Sequence, residues 1–222
     1  MTYDEIIDEA LARVRDAGRN IPRRTLLRHI GQYQASLFQR AATWNPEYYG
    51  ICVIADIAGG ALDLNALTPP LNQAAGIQLI EVVASTGAGP APGTRISVVP
   101  IEDTKSGLAP RATLRDNVLR QVGTELDLVT QIEIHYARLP NPVPPTGGAV
   151  EAELREPYQE LLVLDCAVFI ANQLAAEGRA VPAALVEQVQ GELTVLMVSY
   201  EAQVRGYVTD VEDRFRRTGG EG

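Results

Sequence analysis

"QIEIHYARLPNPVPPTGG" (131–148), followed shortly by "LREPYQELLVLDC" (154–166), decides how this chain is read. The first half of the first stretch alternates. Ile132, Ile134 and Tyr136 fall on one face, and Gln131, Glu133 and His135 on the other, as in a half-buried strand. The alternation then breaks on Pro140, Pro142, Pro144, Pro145, Gly147 and Gly148, a composition that predicts a stiff-then-flexible tether. The second stretch opens a helix predicted from about Arg155 to Glu177. Its apolar residues are Leu161, Leu162, Val168, Ile170 and Leu174, Pro157 falls in its first turn, and Gly178 stops it. The two stretches mark a seam where a β-region hands over to helices.

Downstream, Leu185, Val189, Leu193, Leu196, Tyr200, Val204, Val208, Val211 and Phe215 recur at steps of three and four. They predict one helix from near Pro182 to about Arg216, roughly 50 Å long at ~1.5 Å per residue. Its distal half has few internal partners, which points to contact with another subunit.

Upstream, the period changes to 2 over the middle of the chain. "YYGICVIADI" (48–57) reads as a buried strand. "GGALDLNALTPPL" is turn-rich with room for one short strand. "IQLIEVVAS" (77–85) and "TRISVVPIE" (94–102) read as strands joined by the flexible tip "TGAGPAPG". "ATLRDNVLRQV" (112–122) fits a helix or a hairpin; turning on Asp116-Asn117, which tolerate positive φ, it is read as a hairpin. Roughly five to seven strands result. Before them, Thr2 and Glu5 form a capping box for a helix to about Ala17, stopped by Gly18. Asn20 caps a second helix to about Ala42, with Leu26, Leu27, Ile30, Tyr33, Leu37, Phe38 and Ala41 on one face. The expected fold is α+β: a bundle of about four helices with an antiparallel β-module inserted between the second and third. Residues 1–46 give the N-terminal helices, 47–140 the β-module, 141–150 the tether, 151–216 the long helices and 217–222 a tail.

Composition narrows the function. The 222 residues carry a net charge of −9, distributed as about +2 over 1–44, −4 over 45–150 and −7 over 151–222. A chain this acidic is a poor candidate for wrapping nucleic acid, whose phosphates need Lys and Arg. No run of ~18 apolar residues predicts a membrane span, and the acidic, amphipathic N-terminus lacks the pattern of a secretory signal. Cys52 and Cys166 make no CxxC pair and read as two buried, inert thiols in a reducing cytoplasm.

Chemistry-bearing motifs are sparse. His29 and His135 have no second His or Cys at metal-ligand spacing, so both read as solvated or hydrogen-bonded structural histidines, and no metal or cofactor is called. There is no GxSxG elbow. "STGAGPAPGTR" lacks the lysine of a phosphate loop and is followed by a strand rather than a helix. Its exposed, uncharged tip, Gly87, Gly89, Pro90, Pro92 and Gly93, is a candidate contact for a neighbouring subunit or a tail component. No residue set argues for an enzyme. "EDRFRRTGGEG" places Arg214, Arg216 and Arg217 around Phe215 in the most acidic third of the chain. Two roles fit: cations favouring a helix C-terminus, or an arm docking into an acidic groove with Phe215 as anchor.

The "IEIHYARLP" strand ending in Tyr-x-x-x-Pro, the order Leu154, Glu156, Pro157, Tyr158 at a helix start, and the "APRATLRDNVLRQVG" hairpin together resemble the head-to-tail adaptor (connector, head-completion) proteins of tailed bacteriophages. The resemblance covers residues 1–216 in layout. It implies a structural virion protein in the phage neck, made in the host cytoplasm. It would form a dodecameric ring between portal protein and tail-side neck proteins, and DNA would pass through without specific binding. It also implies portal docking through the C-terminal segment, here Arg214, Phe215, Arg216, Arg217 and Thr218. A tail-terminator or another neck or tail protein is the neighbouring expectation, and a small-molecule-binding α+β domain the more distant one.

Overall fold

The computed structural model describes residues 1–15, 20–57, 60–72, 77–87, 89–99, 111–115, 117–122, 128–179 and 181–207. Four α-helices and seven strands lie among them, and the strands fall between the second and third helices, so the fold is α+β. The chain divides into two compact units. Residues 1–44 join the described residues from Pro140 onward, and Asn45–Leu139 form the other.

In the helical unit, α1 (Tyr3–Arg13) starts on the expected capping box. The Glu5 amide donates to Thr2 Oγ1 at 3.2 Å, and the Thr2 amide to the Glu5 carboxylate at 2.7 Å. The helix stops at Arg13, earlier than expected; Gly18 lies outside the described residues. α2 (Arg23–Trp44) begins directly after Pro22, whose carbonyl accepts from the Leu26 amide, so Pro22 takes the position expected for Asn20. α3 (Glu160–Ala176) starts later than Arg155. A proline disfavours the α-region in the residue before it, and residues 155–159 form turns instead, with the Tyr158 amide donating to the Arg155 carbonyl. α4 (Ala183–Gly206) is 24 residues, about 36 Å. It ends at Gly206, where Tyr207 turns extended at φ −72°, ψ 119°, and the rest of the span expected to reach Arg216 lies outside the described residues.

α3 is the hub. It packs against α1, α2 and α4, and Leu161, Leu162, Val163, Leu164, Cys166, Ala167, Ile170 and Leu174 are all buried. A helix apolar on every side belongs at the centre of a bundle. Tyr158, just before it, is buried, tilts over Tyr200 at 5.0 Å and donates to Gln203 Oε1 at 2.7 Å. The quoted "REPYQ" thus fastens the entry of α3 to α4.

The expected free tether is instead docked. The Asp4 amide donates to the Gly148 carbonyl, the Tyr3 amide to the Val150 carbonyl and the Ala152 amide to the Met1 carbonyl. A Cβ at Gly148 would overlap the Asp4 carboxylate, so glycine is what lets the segment lie this close to α1.

In the β-unit, β1 (Gly50–Asp56), β7 (Val129–Ala137) and β3 (Ile77–Ser85) form an antiparallel sheet with β7 central. β2 (Ala61–Asp63), β6 (Val118–Val122), β5 (Arg111–Arg115) and β4 (Ser97–Val99) form the second. The β5–β6 hairpin turns at Asn117, φ 61°, as the sequence predicts. Two expectations are corrected. β1 is an edge strand with no fully buried residue, because it pairs only with β7. The predicted 94–102 strand is split. Thr94 and Ile96 bond β3, then Ser97–Val99 leave to run parallel to β5, so the module holds one antiparallel sheet and one mixed sheet. One core draws on both sheets: Ile80, Val82, Ala112, Leu119, Ile132, Ile134 and Tyr136. The β7 alternation read from sequence sets that core.

Candidate functional site

α4 separates from the other helices by what it leaves uncovered. Only Val189, Tyr200 and Val204 are buried. At ~100° per residue, Ala184, Gly191, Val195, Val198 and Ala202 fall on the opposite side. All five are exposed, Val195 at 72% and Val198 at 64%. Beside this face runs a groove of about 810 Å³ lined by Arg13, Glu160, Leu164, Gln188, Val195 and Leu196. Arg13 fixes its edge, donating to Glu160 and to Glu192, each at 2.7 Å. Glu160 is nonetheless raised above its ordinary value, because burial outweighs the attraction of Arg13.

The sequence-predicted contact residues fare differently. In the tip after β3, Gly89 and Pro90 are half-buried in a tied neck. The Ser85 hydroxyl donates to the Pro90 carbonyl at 2.9 Å, and the Thr86 amide to the Leu128 carbonyl at 2.7 Å. Gly87, Pro92 and Gly93 are exposed, with φ of 61° at Gly87 and 82° at Gly93. Arg214, Phe215, Arg216, Arg217 and Thr218 lie outside the described residues.

His29 is hydrogen-bonded, Nε2 to Asp165 Oδ2 at 2.7 Å, and stacks on Phe169 at 4.0 Å. His135 has company that the sequence did not reveal. β1 and β7 place Cys52 directly opposite His135, with Glu133 two residues along on the same face. Cys52 Sγ donates to Glu133 Oε1 at 2.8 Å, and His135 Nε2 meets the same oxygen at 2.9 Å. Cys52, expected to be buried, is exposed; Cys166 is buried as expected. Lost hydration at the sulfur, then the neighbouring carboxylate, pushes the Cys52 thiol up to about 12. Glu133 is held below its ordinary value, first by the Cys52 hydrogen bond and then by His135. The only signal for this cluster is register. Cys52 sits mid-strand on the outward phase of β1, and nothing in linear spacing pairs it with residue 135.

No protein-family model matches the chain, and no curated protein matches it in sequence.

Proposed function

We propose that this chain is a structural subunit of a tailed-bacteriophage neck, a head-to-tail adaptor that assembles as a ring between portal and tail around the passing DNA. The observation that carries the reading is the outward face of α4. A 24-residue helix that buries three side chains and exposes two large valines on its far side is built to be covered. A ring subunit needs such a face to meet a different face of its neighbour. The order of parts agrees: two helices, a β-module, a docked segment, then two helices. The net charge of −7 over residues 151–222 suits a wall that does not hold DNA by its phosphates. The portal-docking arm is assigned to Arg214–Thr218, following α4.

The test is native mass spectrometry and light scattering of the chain with purified portal protein, with and without residues 214–222. A complex that forms with the full chain and fails with the deletion supports the adaptor. Attachment to portal-bearing capsids that survives the deletion moves the chain to the tail side of the neck. A chain that stays monomeric and ignores portal refutes the reading.

A further inference from the structure

We propose that Cys52, Glu133 and His135 form a binding site for Zn²⁺ or a cation of its class on the outer face of the β1-β7-β3 sheet. One donor atom from each residue lies within 4.8 Å of the other two. Both Cys52 Sγ and His135 Nε2 already point at one oxygen, Glu133 Oε1. The donors are a thiol, an imidazole and a carboxylate. That set matches Zn²⁺ and its spectroscopic substitute Co²⁺; Ca²⁺ and Mg²⁺ require oxygen ligands.

Tetrahedral bonds of about 2.0–2.3 Å set the donor atoms about 3.3–3.8 Å apart. The present 2.8 and 2.9 Å contacts must therefore open by less than about 1 Å. Side-chain rotation achieves this, since Cys52 is exposed and Glu133 and His135 are only partly buried. The backbone is fixed by continuous β1–β7 pairing from Gly50–Ala137 to Asp56–Gln131, so the ligands stand on strands rather than loops.

The surrounding charge favours a cation. Glu81 of β3 stands opposite Glu133 of β7, a like-charge pair across the ladder. Arg95 engages Glu81 at 3.3 Å. A divalent ion beside Glu133 would offset the repulsion. Three protein ligands leave one tetrahedral position facing solvent, which water or a small anion would fill. Bound metal would also join edge strand β1 to the central strand β7.

The experiment uses the full-length, untagged, reduced and metal-stripped chain titrated with Co²⁺, followed by Zn²⁺ displacement against a chelator of known affinity. One equivalent of Co²⁺ should produce a thiolate-to-metal charge-transfer band that Zn²⁺ removes. Cys52→Ser should abolish the band, and His135→Ala or Glu133→Gln should weaken binding at least about tenfold, while His29→Ala leaves it unchanged. All four side chains are at least partly exposed, and unchanged circular dichroism will show that the variants fold. No charge-transfer band in the parent chain, a band that survives Cys52→Ser, or equal affinity in His135→Ala would each overturn the proposal.

Discussion

Replacing Val195 and Val198 together by aspartate tests whether the outer face of α4 is an assembly surface. Fully burying a valine side chain is worth about 1.5–3 kcal/mol. The two side chains keep 72% and 64% of their surface exposed in the isolated subunit. Covering them in an interface therefore yields about 1–2 kcal/mol each, or about 2–4 kcal/mol per contact. At ~1.4 kcal/mol per tenfold, the double variant should weaken each subunit contact by about 30-fold to about 1,000-fold, before the added cost of desolvating aspartate. The loss recurs at every contact of a closed ring. Sedimentation velocity with portal protein over a concentration series reads this directly. Monomer stability is the control. Valine and aspartate have similar helix propensities, and exposed substitutions rarely move stability by more than about 0.5 kcal/mol. The urea midpoint should therefore stay put while assembly fails. A double variant that assembles at the parent concentration would refute the argument that this face is covered.

Two further outcomes concern the helical unit itself. Gln34 is fully buried, with Nε2 donating to Tyr3 Oη at 2.9 Å and Oε1 accepting from the Glu153 amide at 3.2 Å. Gln34→Leu removes both hydrogen bonds at once. At ~1–3 kcal/mol per buried group left unpaired, chemical denaturation should show a loss of about 2–6 kcal/mol, against less than about 1 kcal/mol if solvent reaches the site. The raised proton affinity of Glu160 gives a pH signature of definite sign. On acidification the folded state takes up this proton before the unfolded state does. The group's contribution to stability therefore rises as pH falls through its raised folded value towards the ordinary 4.5. Urea midpoints of the parent should gain on those of Glu160→Gln as the pH falls from about 7 towards 4.5; a gap that stays constant or shrinks over that whole range would contradict the burial argument.

Where local signals act alone, sequence and structure agree. The Thr2–Glu5 capping box, the alternation of Ile132, Ile134 and Tyr136 and the Asn117 turn each require only neighbours within a few residues. The mismatches arise where distant partners decide. β1 reads as buried from its β-branched run, but it lies at a sheet edge because β7 is taken on the other side by β3. The proline-rich segment reads as free because composition cannot show that Gly148 and Val150 carbonyls meet the amides at the start of α1. "TRISVV" reads as one strand because its period does not change at the point where it leaves one sheet for the other. The Cys52–Glu133–His135 cluster is the extreme case. Residues 81 or more positions apart meet only through strand register.

The two proposed sites also differ in what kind of order they need, and that difference bears on how the chain would work. The α4 face is the outer side of a helix whose inner side is anchored by Val189, Tyr200 and Val204, by Tyr158 on Gln203 and by Arg13 on Glu192. The cysteine–carboxylate–histidine face stands on strands instead. It occupies a fixed ladder in which β7 is paired on both sides, and metal ligation tolerates only tenths of an ångström. Val195 and Val198 belong to the helical unit, and Cys52, Glu133 and His135 to the β-unit. Measured on the same protein, the metal titration should therefore be insensitive to the Val195→Asp and Val198→Asp changes that are expected to weaken assembly.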